Sequence, residues 1–107
     1  MMRVGFFKVR PEQVERLRAW MHELTQRRDE VLETFRAEST QHECAYLLQG
    51  ASGPILVYAT QVDDPEQARQ AFAASQLPID LQHKQVLAEV REGPADVEPL
   101  FDIRAEG

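Results

Sequence analysis

The chain is nearly empty of the residues that announce a chemistry on their own. It holds one cysteine, Cys44, so no intrachain disulfide can form, and a reducing cytoplasm is the expected compartment. Its five glycines are scattered, which leaves no phosphate-cradling loop and no nucleophile elbow. Ser39, Ser52 and Ser75 have no neighbouring base in sequence, so a triad would have to assemble in space. Bases are scarce too: 12 Lys and Arg stand against 18 Asp and Glu, a formal charge of −6. Arg27-Arg28 is the only adjacent basic pair, and Glu23, Asp29 and Glu30 surround it. A phosphate backbone calls for a basic stripe that displaces counterions, so no nucleic-acid partner is expected. Apolar runs last only a few residues, too short to span a membrane. Met1-Met2-Arg3 leads straight into a strand pattern, so no secretory leader is expected.

What is present suffices for a core. A chain of 107 residues fits one domain over residues 1–107, and such a chain buries roughly 65% of its unfolded surface without staples. Its 43% hydrophobic and 28% charged content is ordinary for a globular protein. Two strand segments are apolar on both faces. In Met2–Arg10, Met2, Val4 and Phe6 share one face, and Gly5, Phe7 and Val9 share the other. In Ile55–Val62, Ile55, Val57 and Ala59 alternate with Leu56, Tyr58, Thr60 and Val62. A half-wet antiparallel sheet would alternate apolar with polar, so both faces of this one require cover.

Between these strands Val14, Leu17, Met21, Leu24, Val31 and Phe35 recur at three and four residues, with Arg28 interrupting the stripe. A helix runs from Pro11 to about Glu38, on the order of 40 Å long, with a kink or break placed near Thr25–Arg28. Glu43–Gln49 reads as a second strand, Gly50–Pro54 as a hairpin connection and Ile55–Val62 as the third strand. Asp64-Pro65 opens a second helix, Leu77-Pro78 interrupts it, and a further segment from Asp80 ends at Gly93-Pro94. A last strand is expected around Val97–Ile103, irregular because of Pro99. The order gives an α+β fold, a ferredoxin-like βαββαβ antiparallel sheet with its helices on one face. The other face then needs a second subunit, so the expected partner is the chain itself as a homodimer.

This pattern resembles the dimeric α/β-barrel superfamily over nearly the whole chain. Arg27-Arg28-Asp29-Glu30-Val31-Leu32-Glu33-Thr34, with Leu77-Pro78-Ile79-Asp80 and His83, is similar to a family of small uncharacterised bacterial proteins. The resemblance implies sheet-to-sheet dimers. The superfamily includes oxygenases, isomerases and haem-degrading enzymes beside members with no known activity, so it assigns no reaction here.

Five residues are candidates for a ligand site. His83 shares a helix face with Ile79, Val86, Leu87 and Val90, so its imidazole is either a satisfied core group or the polar end of a pocket. Asp80, one turn earlier, either orients His83 or caps the helix. Arg28 lies in the apolar stripe, where it binds a carboxylate, pairs internally, or reaches past the edge to solvent. Glu43 opens a strand beside Ala45 and Leu47, as a cavity base, as a partner for Arg28, or as a solvated strand end. Tyr58 either offers a hydroxyl to a pocket or packs into its wall. His42 and Cys44 alternate on one face with Tyr46, but a zinc site needs three or four ligands, so no metal and no cofactor is expected. Two functions follow. One is a binder or converter of a small apolar or carboxylate-bearing molecule in a pocket of each subunit, and the other is a non-catalytic dimeric module.

Overall fold

The computed structural model describes residues 1–105. Four strands form one antiparallel sheet: β1 (Met2–Val9), β2 (Thr40–Gly50), β3 (Gly53–Val62) and β4 (Arg91–Pro94). Their spatial order is β2-β3-β1-β4. Four helices accompany them: α1 (Val14–Gln26), α2 (Arg28–Glu38), α3 (Pro65–Ala74) and α4 (Pro78–Val90). The fold is α+β. None of these helices is long and apolar enough to cross a membrane.

Register decides which side chains look inward. Phe7 pairs with Leu56 and Gly5 with Tyr58, while Leu47 pairs with Leu56 and Ala45 with Tyr58. Side chains directly opposite across a ladder share a face. Gly5, Phe7, Val9, Leu56, Tyr58, Thr60, Glu43 and Leu47 therefore line one side. The helices pack there: Val9 and Leu56 join Leu17, Trp20, Ile79, Val86 and Val90 in a single buried cluster. Burying a leucine such as Leu56 contributes about 2 kcal/mol, so this face carries the core. On the opposite face several large apolar side chains meet solvent. Met2 is 67% exposed, Val4 48%, Tyr46 61% and Leu48 55%.

The long helix breaks at Arg27, within the interval the sequence marks. No proline or glycine is involved. Arg27 leaves helical geometry at φ −109°, ψ 43°, and its N–H still reaches the carbonyls of Glu23 and Leu24. Its guanidinium holds the joint, binding Glu23 at 2.8 Å and Glu30 at 2.7 Å and standing 5.9 Å above the Trp20 ring. The second helix begins as expected, with Asp64 capping α3 by accepting from the N–H groups of Glu66 and Gln67. The expected strand at Val97–Ile103 is not formed. The edge strand beside β1 is instead Arg91–Pro94, directly after α4, and Gly93-Pro94 lies inside it rather than ending the helix. Beyond the Ala95 N–H, which reaches the Phe6 carbonyl, the chain leaves the sheet, with Leu100, Phe101 and Ile103 at least 80% exposed.

Candidate functional site

A cavity of about 300 Å³ lies between the helices and the inner face of the sheet. Its apolar wall comes from every layer: Phe7 on the sheet, Leu24 on α1, Val31 and Phe35 on α2, Phe72 on α3, Ile79 and Leu87 on α4. Such a volume matches the lower end of small-molecule pockets, which are mostly apolar with a few aimed polar groups. Gly5 helps to open the floor, because it stands opposite Tyr58 and presents no side chain there. A Cβ at this position would come within 3.2 Å of the Phe7 ring.

Four of the five sequence candidates line this space: His83, Tyr58, Glu43 and Asp80. Arg28 does not. It is exposed at the start of α2, one residue past the break, and Arg27 makes the ion pairs at the joint instead.

The His83 imidazole is bound at both nitrogens. The Trp20 indole N–H donates to Nδ1 at 2.7 Å, and the Tyr58 hydroxyl lies 3.2 Å from Nε2. An indole N–H only donates, so Nδ1 presents its lone pair. A neutral imidazole then carries its proton on Nε2, which donates to the Tyr58 oxygen. The ring is neutral at ordinary pH because burial lowers its pKa to about 4, against a smaller upward pull from the Asp80 charge. The Tyr58 hydroxyl proton is thus left over, and it has no second protein partner among the described residues. Burial and the Glu43 charge raise the phenol above its ordinary pKa, so it stays a donor.

Asp80 does not orient His83, contrary to the first sequence reading. It also makes no capping bond at the start of α4. Its two oxygens are taken by hydroxyls, Thr34 at 2.8 Å and Ser75 at 2.5 Å, which joins α2 to the α3–α4 turn. Glu43 likewise does not meet Arg28. It accepts from the Thr60 hydroxyl at 3.2 Å through Oε2, leaving Oε1 free. Much of Glu43 meets solvent because β2 is an edge strand, yet its carboxyl faces the cavity, and burial there raises its pKa. His42 and Cys44 lie on the opposite face of β2, with Sγ and Nε2 3.3 Å apart.

Several lining residues escape sequence reasoning. Glu38 ends α2 in the cavity wall, where burial and the charges of Glu43 and Asp80 push its pKa up to about 7. Arg3 and Arg91 also border the space, Arg91 with its guanidinium 3.8 Å from the centre of the Phe7 ring. Arg3 had a visible signal, being the one charge on the inner face of β1. Trp20, the sole tryptophan, is buried in the core beside Leu17, as its place on the α1 stripe predicts.

Residues 2–104 match a family of unknown function, DUF6176, and the chain belongs to that family. No curated protein and no solved structure matches the chain.

Proposed function

We propose that this member of the DUF6176 family holds a small, largely apolar molecule bearing an acceptor oxygen in the pocket between helices and sheet. One observation carries the reading: the donor chain Trp20 to His83 to Tyr58, which ends in an unspent hydroxyl proton beside the cavity. Each bond polarises the next, so the terminal hydroxyl is a stronger donor than an isolated phenol. Arg3 and Arg91 add positive charge to the wall and favour an electron-rich oxygen over a cation.

The test compares cyclohexanone with methylenecyclohexane, which has the same shape but no acceptor oxygen. The single indole N–H resonance reports the Trp20–His83 bond directly. Cyclohexanone is expected to shift it and to bind about fivefold more tightly than the hydrocarbon, the worth of one net hydrogen bond. Tyr58→Phe is expected to erase that preference. Equal binding of both compounds, or an unchanged preference in Tyr58→Phe, would refute the reading.

We also propose a ferredoxin-like domain that pairs as a homodimer through the uncovered sheet face. The element order and the separation of β1 from β2 by β3 support the first part. The exposed Met2, Val4, Tyr46 and Leu48 support the second, since an apolar sheet face of this kind marks an interface. Sedimentation equilibrium at micromolar concentration is expected to give twice the 12.3 kDa chain mass. A stable monomer would refute it and would also remove the non-catalytic dimeric module as an alternative.

A further inference from the structure

Resting on the pocket reading, we infer that this site catalyses proton transfer at a carbon next to a carbonyl group, with Glu43 as the base and the Tyr58 hydroxyl as donor to the enolate oxygen. Three features of the page converge on it. Tyr58 offers one unspent proton to an oxygen in the cavity. Glu43 stands diagonally from Tyr58 on the same face, since Ala45 pairs with Tyr58 and Glu43 pairs with Thr60. Side chains in that relation start about 7–8 Å apart, which leaves room for a carbonyl and its neighbouring carbon between them. Thr60 fixes Oε2 of the carboxylate and leaves Oε1 free for a proton.

In the step itself, Oε1 of Glu43 takes a proton from the carbon, and the C–H electron pair becomes the C=C bond of the enolate. The carbonyl π pair moves onto oxygen, where the Tyr58 hydroxyl holds the charge by a hydrogen bond without giving up its proton. The protonated Glu43 then returns a proton to the same carbon or to a conjugated one, so the net change is exchange or isomerisation and no electrons are lost. His83 and Trp20 take no part in the bond changes; they position Tyr58 and direct its proton. Burial raises the Glu43 carboxyl above its ordinary pKa, which makes its carboxylate a stronger base than a solvated one. A carboxylate is a modest base, so the substrate class is a carbonyl compound whose α-hydrogen a second unsaturated group activates, such as a β,γ-unsaturated ketone.

The experiment uses the whole chain and cyclohex-3-enone in D2O. Binding is read from the Trp20 indole N–H resonance in a parallel titration in H2O, and deuterium entry at the activated carbon from proton NMR in D2O. Wild type is expected to exchange well above the buffer rate. Glu43→Gln is expected to lose at least about a hundredfold in rate with binding retained, and Tyr58→Phe a similar factor. Should Glu43→Gln fail to fold, Glu43→Asp, which withdraws the base by one methylene, is expected to lose at least about tenfold in rate at unchanged binding. Binding without exchange above buffer, or full exchange in a folded Glu43 variant, would overturn the catalytic inference and leave the pocket standing. No shift of the indole resonance would overturn both.

Discussion

Replacing Glu38 with glutamine should stabilise the protein, and only on the alkaline side. Glu38 titrates at about 7 in the fold against 4.5 for an ordinary glutamate, because its carboxyl is buried and faces the charges of Glu43 and Asp80. A raised carboxyl pKa means that the folded state binds the proton more tightly than the unfolded chain. Below 4.5 both states are protonated and the residue is neutral in the balance. Above about 7 both are ionised, and the folded state carries the full penalty. The gap corresponds to about 3 kcal/mol, which water reaching the cavity mouth reduces to about 2 kcal/mol. Glutamine keeps the shape and can still meet the Thr40 hydroxyl, 3.4 Å away, without the charge. Urea unfolding followed by tryptophan emission, at a series from about pH 5 to about pH 9, reads the effect. The expected gain of Glu38→Gln over wild type is a few tenths of a kcal/mol at the acid end, rising to about 2 kcal/mol at the alkaline end. A gain of equal size throughout, or a loss above about pH 7, would refute the assignment of Glu38 as a penalised buried acid.

Histidine should act in the opposite sense. The His83 pKa of about 4 lies below the ordinary 6.5, so the unfolded chain binds the proton first. Stability falls as pH drops below 6.5 and the loss is complete near 4, about 3 kcal/mol in all; the indole N–H resonance of Trp20 should move in step, with its midpoint near 4, as Nδ1 ceases to accept. In the core, Leu56→Ala should cost about 3 kcal/mol in urea unfolding, because Leu56 is only 2% exposed at the centre of the helix-facing side. Removing the α3 cap with Asp64→Ala should cost about 1 kcal/mol in the same assay, since two N–H groups lose their acceptor. Ser39, which ends α2 at φ 55°, should tolerate Ser39→Gly with a gain of about 0.5 kcal/mol in the same unfolding assay, as left-handed backbone favours glycine.

Much of the fold was legible because its signals are local. The two-faced strands, the Asp64-Pro65 helix start and the Gly50–Pro54 connection are each encoded within a few residues of where they act. The break at Arg27 was legible only as an interval, because its cause is tertiary: a guanidinium tied to Glu23, Glu30 and, at 2.5 Å, Gln82 on α4. The last strand was misplaced because Val97–Ile103 has the apolar content of a strand, while pairing with β1 begins as soon as α4 ends. At the site, the pattern singled out His83 and Tyr58 separately but gave no hint that they touch. Trp20, Tyr58 and His83 come from α1, β3 and α4, and periodicity carries no information about which residues of different elements meet. Asp80 shows the same limit. Its nearest titratable neighbour in sequence was the obvious partner, and two hydroxyls took its place, Thr34 on another helix and Ser75 in the preceding turn.

The non-helical residue between α1 and α2 makes one side of the cavity wall depend on ion pairs. α2 supplies Val31, Thr34, Phe35 and Glu38 to the cavity wall, and it is attached to α1 through one joint held by exposed or half-exposed charges. Salt weakens such contacts without touching the apolar wall or the Tyr58 hydroxyl. The α1–α2 joint is therefore expected to loosen as ionic strength rises, while the apolar part of the wall keeps its packing.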